Sequence, residues 1–391
     1  MWPIDFTLSS KSPWFYTSVG VVGAVIAFLF FGEKENNPSK VSLKTFWVNI
    51  GFGLMIFIFG VAPAWFLLRQ IAIGKYSERF ALAALPGIAI ILAFIIGRLA
   101  TSSKSRNLIF SLLLLASISY QVQVGNLARK DFIEQKKIYS QLKWRIPVLL
   151  PGTAIYSPGI FSGLEAYYSY SMGINLLYDD NMSEAMKYWF FTPRFYEISD
   201  LLNDPNSSLK DAMRTTFEGQ AGKMIAVYKN GSGCLLVLDP VYSALEVSPP
   251  VSSFELYGSL TNFDLIVDDQ TKETVFPQAF GKISQNDWCY YFEKADLAKQ
   301  EKNWDQVISL YSEATQKGLT PIKSAEFIPL ITALIEKGQI DQAVSVTQEA
   351  ITFSKAVTPA VCKLWQSSAI KNPIISKDQI DAAFGVGTCN P

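Results

Sequence analysis

Residues 301–314 read EKNWDQVISLYSEA, and their spacing decides how the C-terminal part of the chain folds. Trp304, Val307, Tyr311 and Ala314 alternate large and small residues at steps of three and four, which gathers them on one helix face. Ile340, Ala343, Thr347 and Ala350 repeat that spacing 36 residues later. Ala295 and Ala298 supply small positions on the helix before. Each unit therefore reads as a helix pair. Thr320-Pro321 and Thr358-Pro359 are expected to be N-cap threonines followed by proline at the first helical position. Ser376 and Gln379 have the spacing of a capping box.

These helices sit behind a very different sequence. The chain is 49% hydrophobic and only 17% charged over 391 residues, too apolar for an ordinary soluble protein. Its apolar residues concentrate before residue 125. Basic and acidic residues balance at 34 each, so nothing points to nucleic acid, which needs a basic patch. Histidine is absent altogether. That excludes Ser-His-Asp and Cys-His catalysis, histidine bases and histidine-containing metal sites. No cofactor and no metal are expected, and no residue is assigned a catalytic role.

The apolar region, 1–125, divides into four expected spans at 14–31, 46–68, 80–97 and 108–124. Each is long enough to cross a hydrocarbon core of about 30 Å. None holds a charged residue, which argues against an ion or proton path. Trp14, Phe15, Tyr16, Phe46, Trp47 and Trp65 sit near the ends, where aromatic anchors belong. Gly51, Gly53 and Gly60 are expected to let helices approach closely. Pro63 and Pro86 are expected to kink their helices or to stand in a first turn.

Residues 126–145 continue the last span as a juxtamembrane helix, and 146–285 read as a small α/β domain. TAIYS (153–157) is an expected strand and GLEAYYSYSMGINLLY (163–178) an expected helix. A second aromatic helix is expected through 184–202, and a strand within 254–267. The apolar runs 224–228 and 234–238 flank Asn230-Gly231-Ser232-Gly233, the strongest hairpin pattern in the chain. Two acidic pairs, Asp179-Asp180 and Asp268-Asp269, end such elements and read as solvated turns rather than cation sites. The aromatic runs 167–171 and 187–191 read as core packing before any sugar or bilayer contact.

Two signals bear on the side of the membrane, and they disagree. The side shared by the N-terminus and the C-terminal domain carries ten Lys or Arg against six on the other, which points to a cytoplasmic domain. Cys234, Cys289, Cys362 and Cys389 all fall outside the spans. An even number of cysteines in one domain suits an oxidising compartment, with three possible pairings. Four separate buried thiols are the alternative. The extracytoplasmic placement is favoured, with the chain multi-pass in the plasma (bacterial inner) membrane.

The helix pairs at 286–391 resemble degenerate tetratricopeptide (TPR-like) repeats, whose period is about 34 residues, although the usual Trp-Leu-Gly pattern is missing. Such repeats imply a protein partner, with Trp304 and Tyr311 as the candidate contacts; the alternative is that the helices only cap the α/β domain. YSERFALAALPGIAIILAFIIG (76–97), two closing spans, a juxtamembrane helix and LPGTAIYS (150–157) are similar to the C-terminal half of bacterial GT-C-type glycosyltransferases. LKWRIPVLLPGTAIY, GCLLVLDP and WCYYFEKADLAKQ resemble uncharacterised bacterial multi-pass membrane proteins more closely, over most of 76–365. The GT-C resemblance implies a lipid-linked sugar as substrate and acidic catalytic residues in outer loops. Here the first loop holds only Glu33 and Glu35, so no catalytic residue carries over. The expectation is therefore a membrane-tethered domain that makes protein contacts without catalysis. A glycosyltransferase, or its second half, is the alternative.

Overall fold

The computed structural model describes residues 42–68, 77–100, 102–159, 167–179, 185–193, 195–212, 215–229, 231–268, 285–371 and 375–385, with a few isolated positions. The chain divides into two units, 1–132 and 133–391.

In the first unit, α1 (Leu43–Phe66) and α2 (Leu85–Leu99) pack together, and α3 (Ser103–Arg145) begins. Three helices are long and apolar enough to cross a membrane: Leu43–Phe66, Phe80–Leu99 and the apolar part of Lys104–Arg145. The expected span at 14–31 lies outside the described residues, except for helical Val21, Gly23 and Val25. Close packing of α1 on α2 depends on glycine. A Cβ on Gly87 would stand 2.5 Å from the Gly53 carbonyl oxygen, and one on Gly60 would stand 2.6 Å from Ala83 backbone. Gly51, expected to share this role, faces open space. Pro63 lies inside α1, while Pro86 occupies the first turn of α2, where its missing N–H is harmless.

The second unit is built on a four-stranded sheet in the order β3 (Trp189–Phe191), β2 (Ala154–Tyr156), β6 (Met224–Lys229), β7 (Leu235–Val237). β2 runs parallel to both β3 and β6, and β6 pairs antiparallel with β7 as the hairpin pattern predicts. Two short antiparallel pairs flank it: β1 (Val148–Leu149) with β8 (Ile266–Val267), and β4 (Ser208–Ala212) with β5 (Thr216–Gln220).

Side chains alternate across this sheet with period two. Ala154, Tyr156, Trp189, Phe191, Met224, Ala226 and Leu236 enter one core. Ile155, Phe190, Ile225, Val227, Leu235 and Val237 enter another. Both faces are covered, which explains why the strands read as continuous apolar runs. The end of α3 (Ile138, Tyr139, Leu142) and α4 (Tyr167–Tyr178) cover the second face. The first face meets α5 (Ile198–Asn203), α6 (Trp288–Gln300), α7 (Trp304–Gln316), α8 (Ile328–Glu336), α9 (Ile340–Phe353) and α10 (Thr358–Lys371).

Three expectations need correction. The aromatic helix through 184–202 is instead β3 followed by the short α5, because Trp189, Phe190 and Phe191 are shared between two cores and so follow a strand period. Residues 254–267 are two 3-10 turns, Phe254–Leu260 and Phe263–Leu265, with only Ile266–Val267 as strand. Neither Thr-Pro pair caps as expected: Thr320-Pro321 caps nothing, since α8 starts at Ile328 after a 3-10 turn with Pro329 in its first turn, and Thr358 is itself the first helical residue of α10, with Pro359 second. The capping box at Ser376 and Gln379 is present and opens α11 (Lys377–Phe384).

The helix pairs α6–α7 and α8–α9 turn alike. Asn303 N bonds the Ala298 carbonyl at 2.8 Å and, 36 residues on, Gln339 N bonds the Leu334 carbonyl at 2.8 Å. Ile340, Ala343, Thr347 and Ala350 are all buried, as are Val307, Tyr311 and Ala314. Two disulfides fasten this part: Cys234–Cys289 joins the start of β7 to the first turn of α6, and Cys362–Cys389 joins α10 to the C-terminal tail.

Candidate functional site

The last residue of α3, Arg145, is 1% exposed. A guanidinium placed there must be paired, because an isolated buried charge is prohibitive. α6 supplies the partners from one face, at steps of three and four: Asp296, Lys299 and Gln300. Arg145 Nε meets Asp296 Oδ2 at 2.6 Å and Arg145 Nη1 donates to Gln300 Oε1 at 2.9 Å. Lys299 Nζ bridges Asp296 Oδ1 at 2.9 Å and Asp239 Oδ2 at 3.0 Å, and lies 4.3 Å from the centre of the Tyr242 ring. Tyr242 donates its hydroxyl to Asp296 Oδ1 at 2.8 Å. Asp239 Oδ1 in turn accepts the backbone N–H groups of Val241 and Tyr242.

Two cations therefore face two carboxylates, and each is held by the next. Burial opposes ionisation of Asp296, but Lys299 and Arg145 outweigh it and hold its pKa at about 2. Burial also opposes charge on Lys299, yet Asp239 and Asp296 raise its pKa above the ordinary value. Burial, with Asp296 and Asp239 nearby, raises the Tyr242 phenol well above its usual range. None of Asp296, Lys299 and Tyr242 is poised to exchange a proton near neutral pH. The cluster is a fixed, charge-balanced floor.

Above that floor opens a cleft of about 670 Å³, within the size range of small-molecule sites. Its walls include Lys302, Trp304, Thr332, Glu336, Ser367 and Lys371, from α7, α8, α10 and the α6–α7 turn. Lys302 and Lys371 form no ion pair among the described residues, and both are exposed. A second groove of about 670 Å³ is lined by Ile308, Leu330, Val346 and Phe353 among others. Phe353 is 52% exposed there.

The two expected contact residues part company. Trp304 is half-buried in the wall of the first cleft. Tyr311 is a core residue, 6% exposed, packed edge-on to Trp288 with ring centroids 5.4 Å apart, and its hydroxyl donates to the Glu326 carbonyl. It also lines the second groove, from its inner side. Of the acidic pairs, Asp179 is buried and bonded to Lys187 at 2.7 Å, not solvated in a turn. Asp180 and Asp269 lie outside the described residues. The aromatic runs go to the core, as expected: Tyr170, Trp189, Phe190 and Phe191 are all buried. Among the described residues no cluster of three or more metal-ligating side chains occurs.

Sequence reasoning missed the buried charges Arg145, Glu293, Asp296 and Glu326. A signal existed for two of them: Glu293 and Asp296 stand one turn apart among Tyr291, Phe292, Ala295 and Leu297, on a helix buried nearly all round.

Family models, curated proteins and solved structures all return no match.

Proposed function

We propose that the protein is a membrane-anchored binding protein of the bacterial plasma membrane, whose second unit makes protein contacts through TPR-like helix pairs without catalysis of its own. The open apolar groove between α7, α8 and α9 carries this reading, since a half-exposed Phe353 beside Ile308, Leu330 and Val346 is the chemistry that receives an apolar segment of another protein. Two disulfides support a position outside the cytoplasm, where thiols oxidise. The helices of the first unit supply the anchor, multi-pass in the bilayer.

The test is a cross-linking pull-down from membranes with Val346→Glu and Phe353→Glu. The expected result is loss of one discrete cross-linked band, with expression and the circular dichroism spectrum unchanged. The same bands from the variants would sink the reading.

The second reading is a GT-C-like glycosyltransferase, or its C-terminal half, acting on a lipid-linked sugar. The order of spans, juxtamembrane helix and α/β domain favours it. Sugar transfer by purified membranes would establish it.

A further inference from the structure

We propose that the cleft between α7, α8 and α10 binds a small, water-soluble, polyhydroxylated organic anion, with its phosphate or carboxylate held by Lys302 and Lys371. The charge pattern gives the sign of the ligand. Arg145 and Lys299 are consumed by Asp296 and Asp239 in the floor, so they attract little. Lys302 and Lys371 remain on the walls, opposed by Glu336 alone.

The backbone at Lys302 points to the same use. Three helix ends in this unit close through one type of bond: Asn303 N to the Ala298 carbonyl, Leu319 N to the Ala314 carbonyl and Gln339 N to the Leu334 carbonyl. Each needs a left-handed residue just before the bonded N–H. Gly318 (φ 72°) and Gly338 (φ 71°) fill two of these positions, and Lys302 (φ 60°) fills the third. Glycine adopts that conformation freely and lysine does not. A lysine kept at the rim of a cleft, where glycine closes the equivalent turns, is retained for its ammonium group.

The remaining wall gives the body of the ligand. Thr332 Oγ1 donates to the Ile328 carbonyl at 2.7 Å and Ser367 Oγ donates to the Leu364 carbonyl at 2.9 Å. Their protons are spent, so each offers the cleft only lone pairs. Glu336 likewise only accepts. Acceptors of this kind suit ligand hydroxyl groups, while the half-buried Trp304 indole provides an apolar face for the C–H side of a polyol or ring.

Titration calorimetry of the full-length protein in detergent tests this with glucose 6-phosphate, gluconate, inorganic phosphate and glucose. The two hydroxylated anions are expected to bind at least tenfold tighter than glucose or inorganic phosphate. Lys302→Gly and Lys371→Ala are each expected to weaken them about tenfold. Because glycine suits the left-handed turn, Lys302→Gly is expected to keep or raise the melting midpoint, so its lost binding cannot be ascribed to unfolding. Absence of heat with both anions up to millimolar concentration would overturn the proposal. So would equal affinity in wild type and both variants, or binding of inorganic phosphate as tight as that of glucose 6-phosphate.

Discussion

Along the outer edge of β3, Ser171 Oγ accepts the Phe190 N–H at 3.0 Å, and Asn175 Oδ1 accepts those of Lys187 and Tyr188 at 2.9 and 3.2 Å. Along the outer edge of β7, the Leu235 N–H goes to Gln141 Oε1 at 2.8 Å and Glu293 Oε1 at 3.0 Å, and the Cys234 N–H goes to Glu326 Oε1 at 2.8 Å. At both edges side chains take backbone N–H groups that would otherwise be open to another strand. The chemistry differs. The β3 edge is closed by neutral groups of α4, between 12 and 19 residues away. The β7 edge is met by groups 58, 92 and 94 residues distant, two of them titratable carboxyl groups, and by the Cys234–Cys289 disulfide.

That contrast separates a local device from a global one. The β3 edge can form as soon as α4 and β3 exist. The β7 edge requires the tail of α3, α6 and the turn at 324–327 together, so it binds the helical part and the sheet into one unit. Non-local contacts of this kind form late, after long loops have closed.

The largest effect is expected at Glu326, where four donors converge: the backbone N–H groups of Cys234, Ile322 and Lys323, and Trp288 Nε1 at 2.7 Å. Burial raises its pKa, and the four donors oppose that rise. Glu326→Ala takes the partner from all four; at the lower end of the roughly 1–3 kcal/mol that each unsatisfied group costs, about 4–6 kcal/mol of stability should be lost in urea denaturation. A smaller loss, about 2–3 kcal/mol, is expected for Asn175→Ala at the neutral edge, where two N–H groups are stranded. An equal or larger loss there would remove the distinction between the edges.

The smallest effect is electrostatic. Glu293 is fully buried, and its Oε2 finds no hydrogen-bond partner among the described residues. Burial, then Asp296, push its pKa well above the ordinary carboxylate value, against the pull of Arg145. The folded protein thus holds a proton that the unfolded chain releases near pH 4.3. The stability this contributes is complete below about pH 4.3 and is lost as the pH climbs through the raised value. Asp296 works in the opposite sense, losing its contribution as pH falls from about 3.9 towards 2. The wild type should therefore resist urea better at pH 5 than at pH 8. Glu293→Gln should flatten that slope, whereas a neutral-edge variant such as Asn175→Ala should leave it intact.

Legibility in the sequence follows the same division between local and distant. Hydropathy alone placed α1 within a few residues, because a run from Phe46 to Leu68 needs no partner to be read. The β6–β7 hairpin was equally local, as was the small-and-large spacing of α7 and α9. β3 was misread because three residues are too few to show a period, and only the two cores reveal the alternation of Trp189, Phe190 and Phe191. The cleft was not legible at all beyond Trp304. Lys302 and Lys371 are 69 positions apart, and Arg145 meets Asp296 across 151. Only tertiary packing brings them together.

The most direct test of the account concerns the cysteines, two of which clamp the β7 edge, in a domain proposed to lie outside the cytoplasm. Cells expressing the protein are quenched in acid, and free thiols are alkylated under denaturing conditions. The remainder are then reduced and alkylated with a heavier reagent before mass spectrometry. The account predicts that Cys234, Cys289, Cys362 and Cys389 carry only the heavy label, with Cys234 linked to Cys289 in the unreduced digest. Four light-labelled cysteines would contradict it, removing both the clamp and the extracytoplasmic placement.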